Sequence, residues 1–356
     1  MEVHPQFRLN GVSLDHETLY EVAYSWVKEG KDFEIDAGDF LLDWLSPSQS
    51  IQVKTSGSTG TPKTIELSKE KMMNSALATG NHFELAPKDT ALLCLSTKHI
   101  AGKMMLVRAM VLGMWIEVIE PSSNPMESCT GSYDFVAMVP MQVQNSLPQL
   151  YQIKKLIIGG APISKSLRES LKTQENAIFE TYGMTETITH IAVKRISGLM
   201  GQEAEGHFEI LPDVDISQDD RGCLVIYAPQ IVDGAVITND LVDLVDKRRF
   251  KWLGRYDNII NSGGVKLIPE EIEEKLAPTI PHRFFVAGIP DQVLGEKLVL
   301  YIEGQLDVDH LKLRIDHLKE LGKFERPRHI YKIEKFVETG SGKINRSRTV
   351  ALHSSS

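Results

Sequence analysis

Residues Thr55-Ser56-Gly57-Ser58-Thr59-Gly60-Thr61-Pro62-Lys63 join glycines, hydroxyls and one lysine in a single run. Glycine lets backbone amides turn inward and come close to an anion. The hydroxyls add donors and Lys63 adds charge, so the run reads as a phosphate cradle. Its spacing is not that of a Walker loop, because Gly60 is followed by Thr61-Pro62. A flexible Ser/Gly connector is the competing reading, but a connector has no need of the Pro62-Lys63 ending. Further along, Tyr182-Gly183-Met184-Thr185-Glu186-Thr187 places an aromatic face, a glycine, a hydroxyl and a carboxylate in one short loop. Gly159-Gly160-Ala161-Pro162 follows the apolar run from Leu156 to Ile158. Small residues at a strand end are where open α/β sheets bind ligands.

Taken in order, these motifs resemble those of the AMP-forming, adenylate-forming superfamily, which holds acyl-CoA synthetases, luciferases and peptide-synthetase adenylation domains. The matches run from Lys54 to Arg346. The resemblance implies that Thr55, Ser56, Gly57, Ser58, Thr59, Gly60 and Lys63 hold the phosphates of ATP. Gly160 and Ala161 would line the adenine side, and Tyr182, followed by Gly183, would stack on the base. Thr185 would contact the phosphate and Glu186 would hold Mg²⁺, an ion that takes few carboxylates plus phosphate oxygens. Asp240 in Thr238-Asn239-Asp240 would accept from the ribose 2′ and 3′ hydroxyls, with Arg255 assisting. The family usually has Gly where Asn239 stands, and Asn is expected to keep the left-handed turn. His99 in His99-Ile100-Ala101-Gly102 would border the acid pocket. Ser262, Gly263 and Gly264 would line the pantetheine tunnel of coenzyme A. Lys343, on the tip Thr339-Gly340-Ser341-Gly342-Lys343, would reach the acid carboxylate and the α-phosphate. Asp257 would be a hinge.

The reaction implied has two halves. A carboxylate attacks the α-phosphate of MgATP and releases pyrophosphate; the thiolate of coenzyme A then attacks the adenylate carbonyl and AMP leaves. The run from Tyr182 through Ile191 and the His99 motif most resemble members whose acid is an aromatic keto-dicarboxylate. Lys194, Arg195, Lys98 and Lys103 are candidates for its second carboxylate, and the sequence does not choose among them. Another aryl or medium-chain acid is the alternative substrate. A stand-alone adenylation enzyme loading a carrier protein in trans is a second alternative. A degenerate nucleotide-binding protein is a third, against which Lys63, Glu186, Asp240 and Lys343 together speak. The first phosphate loop begins at Thr55, earlier than in typical members, so the N-terminal portion is expected to be reduced. In the family that portion helps to form the acid pocket and a dimer surface, and a homodimer is the possible assembly.

The elements that must position these residues follow from periodicity. Asn10-Gly11 predicts a hairpin turn. Leu19, Val22, Ala23 and Trp26 predict a helix ending at Gly30, and Phe40, Leu41, Trp44 and Leu45 a second. Short apolar runs then alternate with helical stretches, which predicts an α/β sheet with parallel pairing. After Gly206 the strands are short and separated by turns: 223–227, 236–238, 241–245 and 250–253, as in an antiparallel sheet or small barrel. Helices at 269–276 and 308–321 predict a final α+β unit. The expected division is an adenylation domain over 1–256, β-rich near 206–254, and a mobile C-terminal domain over 257–356.

At 356 residues the chain can bury its core without staples. A net charge of -9 argues against a nucleic-acid binder. Cys94, Cys129 and Cys223 are far apart and signal neither zinc nor disulfides. No apolar stretch of signal or membrane-spanning length is present, so a soluble cytoplasmic protein is expected.

Overall fold

The computed structural model describes residues 3–54, 64–197, 206–338 and 344–353. The expected phosphate loop, Thr55 to Lys63, and Lys343 lie outside them. The N-terminal hairpin joins β1 (Arg8–Leu9) to β2 (Val12–Ser13). Asn10 and Gly11 both have positive φ, 50° and 82°, the two-residue turn that this dipeptide favours. Helix α1 (His16–Glu29) starts at a capping box in which Asp15 and Thr18 satisfy each other's backbone amides. It packs on α2 (Asp32–Leu45), burying Leu19, Ala23, Phe40, Leu41 and Trp44. The ribbon of β3 (Ser50–Lys54) and β4 (Thr64–Ser68) flanks the phosphate-loop segment. Ser68 then caps α3 (Lys69–His82).

Next come β5 (Thr90–Leu93), α4 (Ile100–Leu112), β6 (Trp115–Val118), β7 (Tyr133–Met138), α5 (Pro140–Asn145), β8 (Ile153–Ile158), α6 (Lys165–Lys172) and β9 (Ala177–Gly183). Strands β5 to β9 pair in parallel. Their near-continuous apolar runs, such as Leu156-Ile157-Ile158, suit strands covered on both faces. Two apolar clusters, one around Phe40, Phe135 and Met110 and one around Leu92, Val136 and Ile158, form the core on either side.

Strand β10 (His190–Ser197) turns back antiparallel on β9. Strands β11 (Phe208–Ile210), β12 (Asp215–Gln218), β13 (Cys223–Tyr227), β14 (Ala235–Leu244) and β15 (Arg249–Arg255) follow, all antiparallel. They do not close a barrel. Because β10 pairs with β9 on one side and β11 on the other, they extend the parallel strands into one 13-stranded sheet. The strands expected at 236–238 and 241–245 are one strand, β14, with a β-bulge opposite Leu241 and Val242. Asn239 lies within it and not in a left-handed turn. Its side chain explains the extended backbone, since Nδ2 donates to both oxygens of Asp257 at 3.1 Å and Oδ1 accepts from Arg221 at 2.9 Å.

The second, smaller sheet holds β16 (Ile260–Ser262), β17 (Val265–Leu267), β18 (Phe284–Asp291), β19 (Gly295–Glu303) and β20 (His329–Ile333). Around it lie α7 (Pro269–Leu276), α8 (Val308–Asp316) and α9 (Arg346–His353). Its core, centred on Ile272, Leu276, Leu300 and Ile315, is separate from those above. Helix α8 stops at Asp316, short of the expected Leu321. The guanidinium of Arg326 takes the carbonyls of Ile315, Asp316, Leu318 and Leu321 at 2.6–3.4 Å. That satisfies the orphan acceptors of a helix end in place of a further turn. No helix among the described residues is long and apolar enough to cross a membrane.

Candidate active site

The C-terminal ends of β5, β8 and β9 put their loops along one edge of the sheet, where open parallel sheets bind ligands. Gly159 and Gly160 leave β8. A Cβ on Gly159 would lie 2.5 Å from Thr181 Oγ1, whose hydroxyl donates to Ile158 O at 3.1 Å. Gly160 has φ +84°, so this turn depends on glycine. Ala161 follows, exposed. The neighbouring loop begins at Tyr182 and Gly183. A Cβ on Gly183 would collide with the Thr189 carbonyl oxygen and the His190 backbone, so only glycine allows the two chain segments to meet.

Thr185–Thr187 forms a single 3-10 turn. Thr189 N then donates to Thr187 O at 2.7 Å across Ile188, which has φ 64° and ψ -61°. This is a γ-turn of the rare, strained hand, centred on a β-branched residue. The surroundings impose it. Ile188 is 1% exposed, and Thr187 Oγ1 accepts from Met184 N at 3.1 Å and lies 2.8 Å from Thr189 O, to which it donates. The result fixes Thr185 half-buried and projects Glu186 into solvent. Glu186 has no hydrogen-bond partner among the described residues, and no group of three metal-ligating side chains exists among them. A lone, unengaged carboxylate suits an ion that keeps phosphate and water ligands.

Asp240 is the centre of a second group. It is 6% exposed. Its Oδ2 accepts from the Tyr182 hydroxyl at 2.7 Å, and its Oδ1 from Trp252 Nε1 at 3.2 Å and Arg255 at 3.4 Å. Burial and the Asp240 charge push the Tyr182 phenol far above its ordinary range, so it stays a donor. Its ring packs edge-on to Phe250 and tilted against Phe208. Burial opposes the charge on Arg255, but Asp240 and Asp257 outweigh it and raise the guanidinium further. Arg255 also holds Asp257 at 3.1 Å. The structure thus brings Tyr182, Asp240 and Arg255 together and adds Trp252, which sequence reasoning had not singled out.

His99 is the exposed N-cap residue of α4 and makes no capping bond with its side chain. Ser262, Gly263 and Gly264 form a tight turn in the smaller sheet, both glycines at positive φ. None of them hydrogen-bonds to the Asp240 group among the described residues.

The four cations proposed for a second carboxylate all have partners. Lys194 pairs with Glu180 at 2.8 Å, Lys98 with Asp36 at 3.2 Å, and Lys103 lies 4.7 Å over the Phe40 ring. Arg195 donates to Ser197 O at 3.2 Å. A different cation stands out. Arg108 on α4 is 2% exposed, its Nε has no hydrogen-bond partner among the described residues, and its guanidinium donates to Met105 sulfur at 3.7 Å. Burial pulls its guanidinium down to about 10. Buried charges are ordinarily paired, and no carboxylate pairs with this one among the described residues. The Nε2 of the buried His190 ring also lacks a hydrogen-bond partner among the described residues; burial, then the charge of Arg108 and of His82, push its pKa well below the ordinary value. One signal was in the sequence: Arg108 interrupts the otherwise apolar run from Met104 to Met110.

Known proteins share this architecture. The family model of the AMP-binding enzyme matches residues 53–216. The acyl-CoA synthetase (AMP-forming)/AMP-acid ligase II-like protein from Dyadobacter fermentans is 35% identical, over 94% of this chain and 98% of that one, with a TM-score of 0.62. The chain belongs to this family of AMP-forming acyl-CoA synthetases and acid ligases. A 2-succinylbenzoate–CoA ligase from Listeria monocytogenes is 26% identical over 96% of this chain and 78% of its own length. The O-succinylbenzoate coenzyme A synthetase from Bacillus subtilis, in complex with ATP and magnesium, superposes with a TM-score of 0.74 over 84% of this chain and 69% of that one. At 21% identity that likeness is one of fold.

Proposed function

We propose that this enzyme activates 2-succinylbenzoate with MgATP and transfers it to coenzyme A, the thioester-forming step of menaquinone biosynthesis. The observation that carries the choice of acid is Arg108, a buried guanidinium with no carboxylate partner among the described residues, on the helix that starts after His99. An aromatic acid with a second carboxylate supplies the missing anion. The names of the curated relatives agree with that choice.

In this reading Lys63 and the Thr55–Gly60 hydroxyls and amides bind phosphate, and Glu186 would hold Mg²⁺, an ion that would supply charge stabilisation to the phosphates. Thr185 contacts the phosphate, Gly160 and Ala161 line the adenine, and Tyr182 lies against it. Asp240 and Arg255 hold the ribose. Lys343 contacts the carboxylate as negative charge develops. The region from 257 to 356 rotates about Asp257 between half-reactions, bringing Ser262–Gly264 to the thiol arm. The protein works in the cytoplasm on small molecules, with a homodimer as its assembly.

The test is ATP–pyrophosphate exchange, then thioester formation, over a panel of 2-succinylbenzoate, benzoate, a medium-chain fatty acid and amino acids. Preferential turnover of any other acid sinks the substrate assignment. Exchange without coenzyme A transfer points to carrier loading. Lys343→Ala should suppress exchange yet spare thioester formation from prepared adenylate, and Gly264→Leu should do the reverse. Equal slowing of both halves in both variants removes the rotation.

A further inference from the structure

A buried carboxylate offers about four lone-pair sites, two on each oxygen. At Asp240 most are already taken. Oδ1 accepts from Trp252 Nε1 at 3.2 Å and from Arg255 at 3.4 Å, which fills it. Oδ2 accepts from the Tyr182 hydroxyl at 2.7 Å, which leaves one site open. We infer that Asp240 accepts a single ribose hydroxyl, through Oδ2, and that Trp252 is the specificity-determining residue that closes Oδ1 to the other. This rests on the proposed role of Asp240 at the ribose.

The β-bulge makes Trp252 available for this. Opposed residues of an antiparallel pair share a face, so Arg255, opposite Asp240, lies on the Asp240 face. In regular pairing Leu253 would oppose Val242 and Trp252 would point to the other face. The extra residue on β15 makes Trp252 the partner of Val242, which shares the Asp240 face. One bulge therefore puts two donors, three positions apart in sequence, onto the same carboxylate oxygen.

The second ribose hydroxyl is left with a neutral acceptor. The Tyr182 oxygen donates its proton to Asp240 and keeps its lone pairs, so it can receive a hydroxyl. A hydrogen bond to a charged group contributes more than one between neutral groups. The two ribose hydroxyls are thus unequal for this enzyme.

The experiment compares ATP, 2′-deoxyATP and 3′-deoxyATP as substrates in ATP–pyrophosphate exchange, for the wild type and for Trp252→Phe, which keeps an aromatic ring but removes the N–H. In the wild type one analogue should lose about 10- to 100-fold in kcat/KM relative to ATP and the other only a few-fold. In Trp252→Phe, Oδ1 opens, and the tolerated analogue should fall a further ~10-fold relative to ATP. Equal losses for both analogues in the wild type overturn the inference, and this measurement stands even if the variant does not fold. An asymmetry unchanged in Trp252→Phe also overturns it. If Asp240→Asn leaves kcat/KM for ATP unaltered, the ribose role itself fails, which is a separate result from the first two.

Discussion

Replacing Arg108 with methionine should stabilise the ligand-free protein and disable it toward a dicarboxylic acid. The guanidinium is 2% exposed, and burial lowers it from 12.5 to about 10. At 1.36 kcal/mol per pH unit, the charged form is disfavoured by ~3 kcal/mol. The sign follows from proton binding. A cation whose folded pKa lies below its unfolded value carries that penalty at every pH below about 10, so all of it is present at neutrality. Methionine has a similar reach, and the position lies among Met104, Met105 and Met110. Ligand-free Arg108→Met should therefore gain up to ~3 kcal/mol, less the lost packing of the arginine stem, read as a rise in Tm of several degrees. The acid should respond oppositely. Removing one partner of a buried ion pair costs about 3–5 kcal/mol, so kcat/KM for 2-succinylbenzoate should fall on the order of 10²–10³-fold. Benzoate, with one carboxylate, should be spared. A variant that melts lower and keeps its preference for the dicarboxylate refutes the reasoning, because Arg108 would then be a structural cation with a partner of its own.

Gly183→Ala should abolish exchange and lower Tm, because the new Cβ meets backbone at Thr189 and His190 that has no rotamer with which to yield; an active, stable variant would show the two segments are less tightly apposed. His190→Gln should flatten the acid side of the stability curve. A histidine held well below its usual pKa contributes stability that is lost as pH falls below 6.5, so melting from pH 7 to 5 should show the variant retaining up to ~2 kcal/mol that the wild type loses. Arg326→Ala should free the carbonyls after α8 and speed amide exchange in α8 by ~10-fold or more, at a local cost of about 2 kcal/mol, while β5 to β9 stay protected. Glu186→Gln should keep its Tm and lose exchange activity most severely at limiting Mg²⁺; an unchanged Mg²⁺ dependence removes Glu186 from the metal.

Much of the architecture was legible because it rests on local rules. Asn10-Gly11 dictates its turn, the alternating runs from Ala91 to Thr181 their parallel strands, and Ser68 its cap. What escaped depends on partners distant in sequence. The end of α8 is decided by Arg326, ten residues beyond Asp316. Lys194 looked available for substrate until β10 paired with β9 and set it beside Glu180. Asn239 resembled a tolerated turn residue, yet it bonds Asp257 and Arg221 from within a strand. The bulge that re-aims Trp252 has no local signature. Arg108 had a signal, a charge inside an apolar helical run, but periodicity arguments weigh the apolar majority and pass over the exception.

The continuity of the large sheet limits how the chain can be recombined. Strands β11 to β15 look in sequence like a unit that begins near residue 206, but β11 completes its pairing with two residues of β10, and β10 with β9. A chimera joined at 206 would pit strand edges from two different parents against each other in the middle of the sheet, with Tyr182 from one facing Asp240 from the other. A junction just after Arg255 leaves every ladder of that sheet within one parent. Swaps there should keep the Tyr182, Asp240 and Arg255 group of one parent intact, while swaps at 206 should yield insoluble or inactive protein. For this chain the natural seam for shuffling is set by hydrogen-bond ladders and not by the change in sequence texture.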